Sequence, residues 1–322
     1  MRLKLVPDQT NINFMGPWRI TFGVSIALMV LSMVAFFTFG LNFGIDFRGG
    51  TSIRTQATQV VDVGAYRDAL APLGLGDISI SEVFDPTYSA DQNVATIRIQ
   101  TQDGAEAVTP EVLSQVEATL RQVDPTLNFT SVESVGPKVS GELVQQAVIA
   151  VLTALAAVLI YIWLRFEWQF ALGAVAALVH DIVLTIGVFS VLQLRFDLAI
   201  IAALLTIVGY SLNDTVVVFD RVRENLVKFK KRKVFELLNL SLNETLSRTL
   251  MTSITTLIAL TALFVLGGDV IRGFVFAMIW GVIVGTWSSV YVAAVIVNWL
   301  GVKRDWGKTG GDKPGTQFAT TD

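Results

Sequence analysis

Residues 206–225 read TIVGYSLNDTVVVFDRVREN. The stretch begins within an apolar run that opens near Leu198, holds Asn213 and Asp214 inside that run, and then releases into Asp220, Arg221, Arg223 and Glu224. At a rise of about 1.5 Å per residue, Asp214 lies roughly 9 Å inside the helix end marked by Asp220. That is too deep for so short a side chain to reach water. A carboxylate at such a depth costs about 3 kcal/mol on insertion scales, so it is expected to face a bundle interior, find a partner or take up a proton.

Composition agrees with a chain of several spans. Of 322 residues, 52% are hydrophobic and 16% charged, and mean hydropathy is +0.59. These values predict a polytopic α-helical membrane protein. The net charge of −3 is unevenly distributed and says little about partners. With no cysteine and one histidine, disulfides, thiol chemistry and a structural zinc site are not expected. Nothing in the charge pattern points to nucleic acid.

Upstream of the quoted stretch, residues 1–19 are polar and interrupted by proline, and 20–39 form a first apolar run, read as a transmembrane helix over 20–40 that also serves as targeting signal. It ends at FGIDFRGG, residues 43–50, whose glycines predict a tight turn in preference to a ligand cradle, because no helix N-terminus follows. From there to residue 142 the character is that of a soluble domain. Strands are predicted at 51–56, 78–84, 94–101 and 127–135, and helices at 60–73 and 109–123, the latter with Thr109 as cap and Pro110 at its first position. The order βαββαβ is that of a small α+β ferredoxin-like domain, here spanning 41–142. No catalytic constellation is visible in it.

Five further apolar runs, 143–164, 168–194, 198–219, 250–266 and 274–300, complete a bundle of six transmembrane helices, the last five within 143–300. Short connections make successive helices antiparallel neighbours. A longer loop, 220–249, carries Lys228, Lys230, Lys231, Arg232 and Lys233 and an amphipathic helix over 234–246, expected to lie on the lipid surface. Roughly twice as many Lys and Arg fall on the side holding both termini and this loop, which predicts that side to be cytoplasmic and the α+β domain to be outside. The tail, 301–322, reads as disordered.

Polar groups within the spans supply the candidate site. Asn213 and Asp214 come first. In SRTLMTSITT, residues 247–256, Arg248, Thr252, Thr255 and Ala259 share one helical face, and the loop keeps that helix end close to Asp214. Asp214 and Arg248 are expected to face each other, either as part of an ion pathway or as a static pair fixing register. His180 and Asp181, mid-helix beside Gly173, Ala177 and Gly187, are read as interhelical hydrogen-bonding groups, with a proton relay as the alternative. Gly281, Gly285, Ser288 and Val292 form a small-residue face for close helix approach. The segment GVKRDWGKT, 301–309, has the wrong glycine spacing for a phosphate loop, and no hydrolase arrangement stands outside the spans. The available energy source is an ion gradient, with no cofactor.

Four motifs, FGIDFRGG from Phe43, GYSLNDTVVVFDRVREN from Gly209, LNETLSRTLMTSITTL from Leu242 and GTWSS from Gly285, resemble the SecF members of the SecD/SecF family of protein-export membrane subunits, within the RND-like superfamily. The likeness runs from first helix to sixth. Arg48 departs from it, standing where many members carry a smaller polar residue.

The resemblance implies one RND-like half bundle in the bacterial inner membrane that pairs with SecD, works beside SecYEG and SecA on an unfolded exported polypeptide, and draws on the proton-motive force. It also implies proton-transport roles for Asp214 and Arg248; Asn213, Thr252, Thr255, His180 and Asp181 are the supporting polar residues read from the spans themselves. Two rivals are a self-contained RND-type small-molecule exporter, which carries two bundles and larger outer domains, and a scaffold of the translocon that moves no protons.

Overall fold

The computed structural model describes residues 10–76, 78–83, 88–89, 92–100 and 108–302. The expected strand ends at 84 and 101 and the chain from 303 lie outside the described residues.

In chain order the elements are α1 (Trp18–Phe39), β1 (Asn42–Phe43), α2 (Ile45–Arg48), β2 (Gly50–Ala57), α3 (Val63–Leu70), β3 (Ile78–Val83), β4 (Asn93–Ile99), α4 (Pro110–Val123), β5 (Asn128–Val135), α5 (Pro137–Arg165), α6 (Trp168–Leu192), β6 (Arg195–Phe196), α7 (Leu198–Lys228), α8 (Val234–Leu266), α9 (Asp269–Ser288) and, after a π turn over Ser289–Ala293, α10 (Ala294–Leu300). Among the described residues, six helices, counting α9 to α10 as one span, are long and apolar enough to cross a membrane. This is a multi-pass membrane protein.

The sheet order β3-β4-β2-β5, antiparallel throughout, is the ferredoxin-like arrangement expected from the βαββαβ sequence. Alternate residues of β2 and β4, such as Ile53, Ile97 and Ile99, meet Tyr66 and Leu70 of α3 and Val116 and Leu120 of α4 in one core. Thr109 caps α4 by accepting from the Val112 amide, with Pro110 next. The Gly49–Gly50 pair makes the tight turn its composition predicts: both residues have positive φ, and a Cβ on Gly50 would meet the Ile99 carbonyl.

A clip joining domain to bundle has no counterpart in the sequence reading. β1 pairs in parallel with β6, and Gly44 donates its amide to the Phe196 carbonyl. Asp46 accepts from the Leu198 amide and so caps α7.

Two boundaries differ from expectation. α5 begins at Pro137 rather than 143, because Gly136 and Pro137 carry β5 directly into a helix whose first turn tolerates proline. The region 220–249 is not a loop with a surface helix. α7 continues to Lys228, the connection is 229–233, and 234–246 is the first part of α8. Its apolar side is spent on protein: Leu237, Leu238 and Leu242 bury against Val218, Val222 and Leu226 of α7 and against residues of α10. Each such leucine contributes about 1.5–3 kcal/mol when withdrawn from water. Arg221 bonds both Glu224 and Glu244 at 2.7 Å, and Asn225 donates to Ser241 and Glu244, locking the hairpin. Asn239 and Asn243 of α8 in turn hold the backbone of Ile12 and Met15 ahead of α1.

Burial divides the helices. More than half of the apolar windows of α6 and of the α9 to α10 span is buried, against 11% for α1, α5 and α8. The centre of the bundle is α6, α7 and α9, and there the polar residues converge.

Candidate functional site

Along α7, Ile207, Ser211, Asp214, Val218 and Val222 recur at helical spacing and are buried, whereas Thr206, Gly209 and Asn213 are exposed. Asp214 therefore points into the bundle, only 8% exposed, and Asn213, about 100° away around the helix, does not. Two helices complete the carboxyl's surroundings. Thr249 of α8 donates to Oδ1 at 2.5 Å, and Ser289, first residue of the π turn, donates to Oδ2 at 2.6 Å. Hydroxyl donation at such lengths is the charge-assisted kind, which offsets part of the desolvation of a buried carboxylate.

One residue earlier, Arg248 is exposed, and among the described residues no ion pair within 4 Å joins it to Asp214. The expected face-to-face pair is thus replaced by a hydroxyl contact from the neighbouring position. The same one-residue offset moves the whole polar stripe of α8. Thr252 and Thr255 are exposed and donate to carbonyls of their own helix, whereas Thr245, Thr249 and Ser253 form the buried side. Ser253 meets Thr286 at 2.8 Å and accepts from the Tyr210 hydroxyl at 3.3 Å, one turn from Asp214.

A second buried carboxyl lies on α6. Asp181 is 1% exposed; its Oδ1 meets His180 Nδ1 at 3.0 Å, and its Oδ2 accepts from Ser211 of α7 at 2.6 Å and from Ser288 of α9 at 2.9 Å. This is the interhelical hydrogen bonding expected for the pair, with Ser211, which the sequence did not single out, and Ser288, which it marked only for packing, as partners. His180 also lines an apolar cavity of about 420 Å³ bounded by α1, α6 and α9.

The approach of α9 to α7 depends on glycine. A Cβ on Gly285 would sit 3.1 Å from Ser211 Cβ, and one on Gly281 would collide with Ile207. The small-residue face of α9 therefore does what its pattern predicted, and it brings Ser288 and Ser289 within reach of both carboxyls. Among the described residues no group of three or more His, Cys, Asp or Glu is placed to hold a metal ion.

The fold and the site together define a class: a six-span bundle with a ferredoxin-like domain between its first two spans and carboxyl groups held by hydroxyls at its centre. Comparison with known proteins narrows the class. A model of the C-terminal region of the SecD/SecF protein-export membrane proteins matches residues 115–303, and one of the SecD/SecF GG motif matches 34–59. The chain is 62% identical over 321 residues to the protein translocase subunit SecF of Cereibacter sphaeroides, covering 100% of this chain and 99% of that one, and 42% identical to that of Pseudomonas aeruginosa, covering 92% and 93%. It superposes on the crystal structure of SecDF, a translocon-associated membrane protein from Thermus thermophilus, with a TM-score of 0.82 and 36% identity, covering 92% of this chain and 39% of that longer one. A super-membrane-facing form of SecDF gives 0.67 and 38%, with the same coverage. The chain belongs to the SecD/SecF protein-export family, on its SecF side.

Proposed function

We propose that this chain is the SecF subunit of a protein translocase, paired with a SecD partner in the bacterial inner membrane, and that it turns the proton-motive force into work on the exported polypeptide. The observation that carries the reading is Asp214, withdrawn from water and bonded by hydroxyls from two other helices. Protonation there exchanges a charge-assisted acceptor for a neutral group, altering the hold of α7 on α8 and α9 by the few kcal/mol that suffice to bias a bundle between two arrangements. Support for the partner comes from the solved SecDF chains, of which this chain matches about two-fifths; SecD would supply the rest. SecYEG and SecA are the remaining proposed partners.

In this reading the α+β domain faces the periplasm and both termini the cytoplasm, in keeping with the basic residues clustered at 228–233. The clip at β1, β6 and Asp46 ties the domain to the N-terminus of α7, a rigid path by which a shift of the Asp214 helix reaches the domain. No catalytic group or bound cofactor enters this mechanism.

The test is Asp214→Asn in the assembled complex, reconstituted with a proton gradient. Gradient-stimulated export should fall to the level without a gradient while the complex still assembles. Undiminished stimulation would leave the scaffold reading in its place.

A further inference from the structure

Ser288 and Ser289 are adjacent, fully buried, and bonded to different carboxyls: Ser288 to Asp181 on α6, Ser289 to Asp214 on α7. They stand where α9 passes into the π turn, a feature that recurs at functional positions in helices. Each serine also has a second acceptor in its own helix. Ser288 reaches the Gly285 carbonyl at 3.1 Å, and Ser289 reaches the Thr286 carbonyl at 3.1 Å.

A serine hydroxyl has one proton to give and lone pairs that accept. Facing a carboxylate, it donates. Facing a carboxylic acid it accepts, and its own proton turns to the carbonyl one turn back. Both serines already have that second acceptor within 3.1 Å.

The geometry points to Asp181 as a second proton-binding site, coupled to Asp214 through the Ser288–Ser289 step. The inference rests on the reading of Asp214 as the site that takes up a proton. When Asp214 is neutral, Ser289 loses its charge-assisted bond and the π turn is released from α7. Ser288, the residue just before that turn, then shifts against Asp181. The Asp181 carboxylate loses part of its donation, and its own protonation becomes easier. The ionisable groups near the two carboxyls are His180 on α6 and, through space, Arg248 on α8; α7 adds Ser211, α8 adds Thr249, and α9 brings the two serines.

Direct electrostatics predicts the opposite sign, because removing the charge of Asp214 makes the Asp181 carboxylate easier to keep. The experiment is pH-titrated infrared difference spectroscopy of the full chain in liposomes, with isotopically labelled aspartate. Bands are assigned by their loss in Asp181→Asn and Asp214→Asn. The expected result is an Asp181 band whose midpoint moves to higher pH by about one unit in Asp214→Asn, the size at which two sites count as coupled. Ser288→Ala, which leaves Ser211 to hold Asp181, should abolish the shift, as should Ser289→Ala. A midpoint that stays put or moves to lower pH in Asp214→Asn, a shift that survives both serine variants, or an Asp181 that never titrates overturns the inference. Lost gradient-driven export in Asp214→Asn with an unmoved Asp181 midpoint sinks the coupling alone. A moved midpoint with normal export sinks the proposed function alone.

Discussion

Thr249 of α8 is hydrogen-bonded to Asp214 of α7, and Arg248, its neighbour in sequence, is not. The Asp214 carboxyl thus sits against a hydroxyl that can be removed without touching any charge. Thr249→Val keeps the shape and deletes the donor, leaving Oδ1 of a buried carboxyl unsatisfied at a cost of about 1–3 kcal/mol. Thermal unfolding of the purified chain should show that loss, together with weakened gradient-driven export. Thr252→Val, on the exposed side of the same helix, should stay within about 0.5 kcal/mol of wild type in the same measurement.

Close contact between α7 and α9 gives a second expectation. Gly281→Ala sets a methyl group into Ile207, and a packed interface answers overpacking with about 1–3 kcal/mol of destabilisation. Gly209 and Gly23 face open space, so alanine there should be neutral or slightly stabilising through helix propensity. Comparing the midpoints of the three variants in one detergent separates packing from propensity.

The contrast between Arg248 and Thr249 also marks how far the sequence could be read. Runs of apolar residues and the βαββαβ pattern are properties of whole segments, and they survive an error of one or two residues. Which side of a helix faces inward does not. Choosing 248, 252 and 255 over 249 and 253 rotates α8 by about 100°, because a charged residue draws the eye and threonine, satisfied by its own backbone carbonyl, gives no sign of orientation. Ser211 and Ser289 were missed, and Ser288 was read only as a packing residue, for a related reason. A serine in an apolar run reads as a small packing residue until the carboxyl it bonds is placed beside it. The hairpin at 229–233 was hidden by its lysines, which suggested a solvated loop, and the pairing of Asn42–Phe43 with Arg195–Phe196 is too short and too distant in sequence to leave a pattern.

Outside the spans, Tyr66 in the α+β core offers a pH test. Burial, with the Asp124 carboxyl beside it, pushes its hydroxyl up to about 12 from the ordinary 10. In the window between those values the unfolded chain has released the proton and the folded domain has not. Folding therefore binds a proton there, and stability falls as pH rises from about 10 to 12. Tyr66→Phe has no proton to lose and should flatten that part of the profile. Circular dichroism of the domain's sheet signal against pH, compared between the two proteins, checks it.

The clip between domain and bundle carries its own consequence. Asp46→Ala removes the acceptor of the Leu198 amide, and losing a helix cap costs about 0.5–2 kcal/mol. The effect should be confined to the junction. Hydrogen exchange should rise at the first turn of α7 and at β1 and β6, with no change at Ile97 or Ile99 in the sheet.

Asn213, Thr252, Thr255 and Arg248 remain exposed on α7 and α8 although they belong to membrane-spanning helices. Thr252 and Thr255 are satisfied by their own helix, but an amide and a guanidinium facing hydrocarbon are unfavourable by a few kcal/mol on insertion scales. A protein surface removes that penalty, and with SecD as the proposed partner this face of α7 and α8 is where it should dock. The chain has no cysteine, so Asn213→Cys and Thr255→Cys each provide a single site for a nitroxide label. In the chain alone, oxygen dissolved in the bilayer should relax both labels; in the complex with SecD, accessibility should drop at both and stay unchanged for a label at Leu152 of α5, also exposed. Equal accessibility with and without SecD at Asn213 and Thr255 would place the partner elsewhere and leave Arg248 without the surroundings that a role in proton transfer requires.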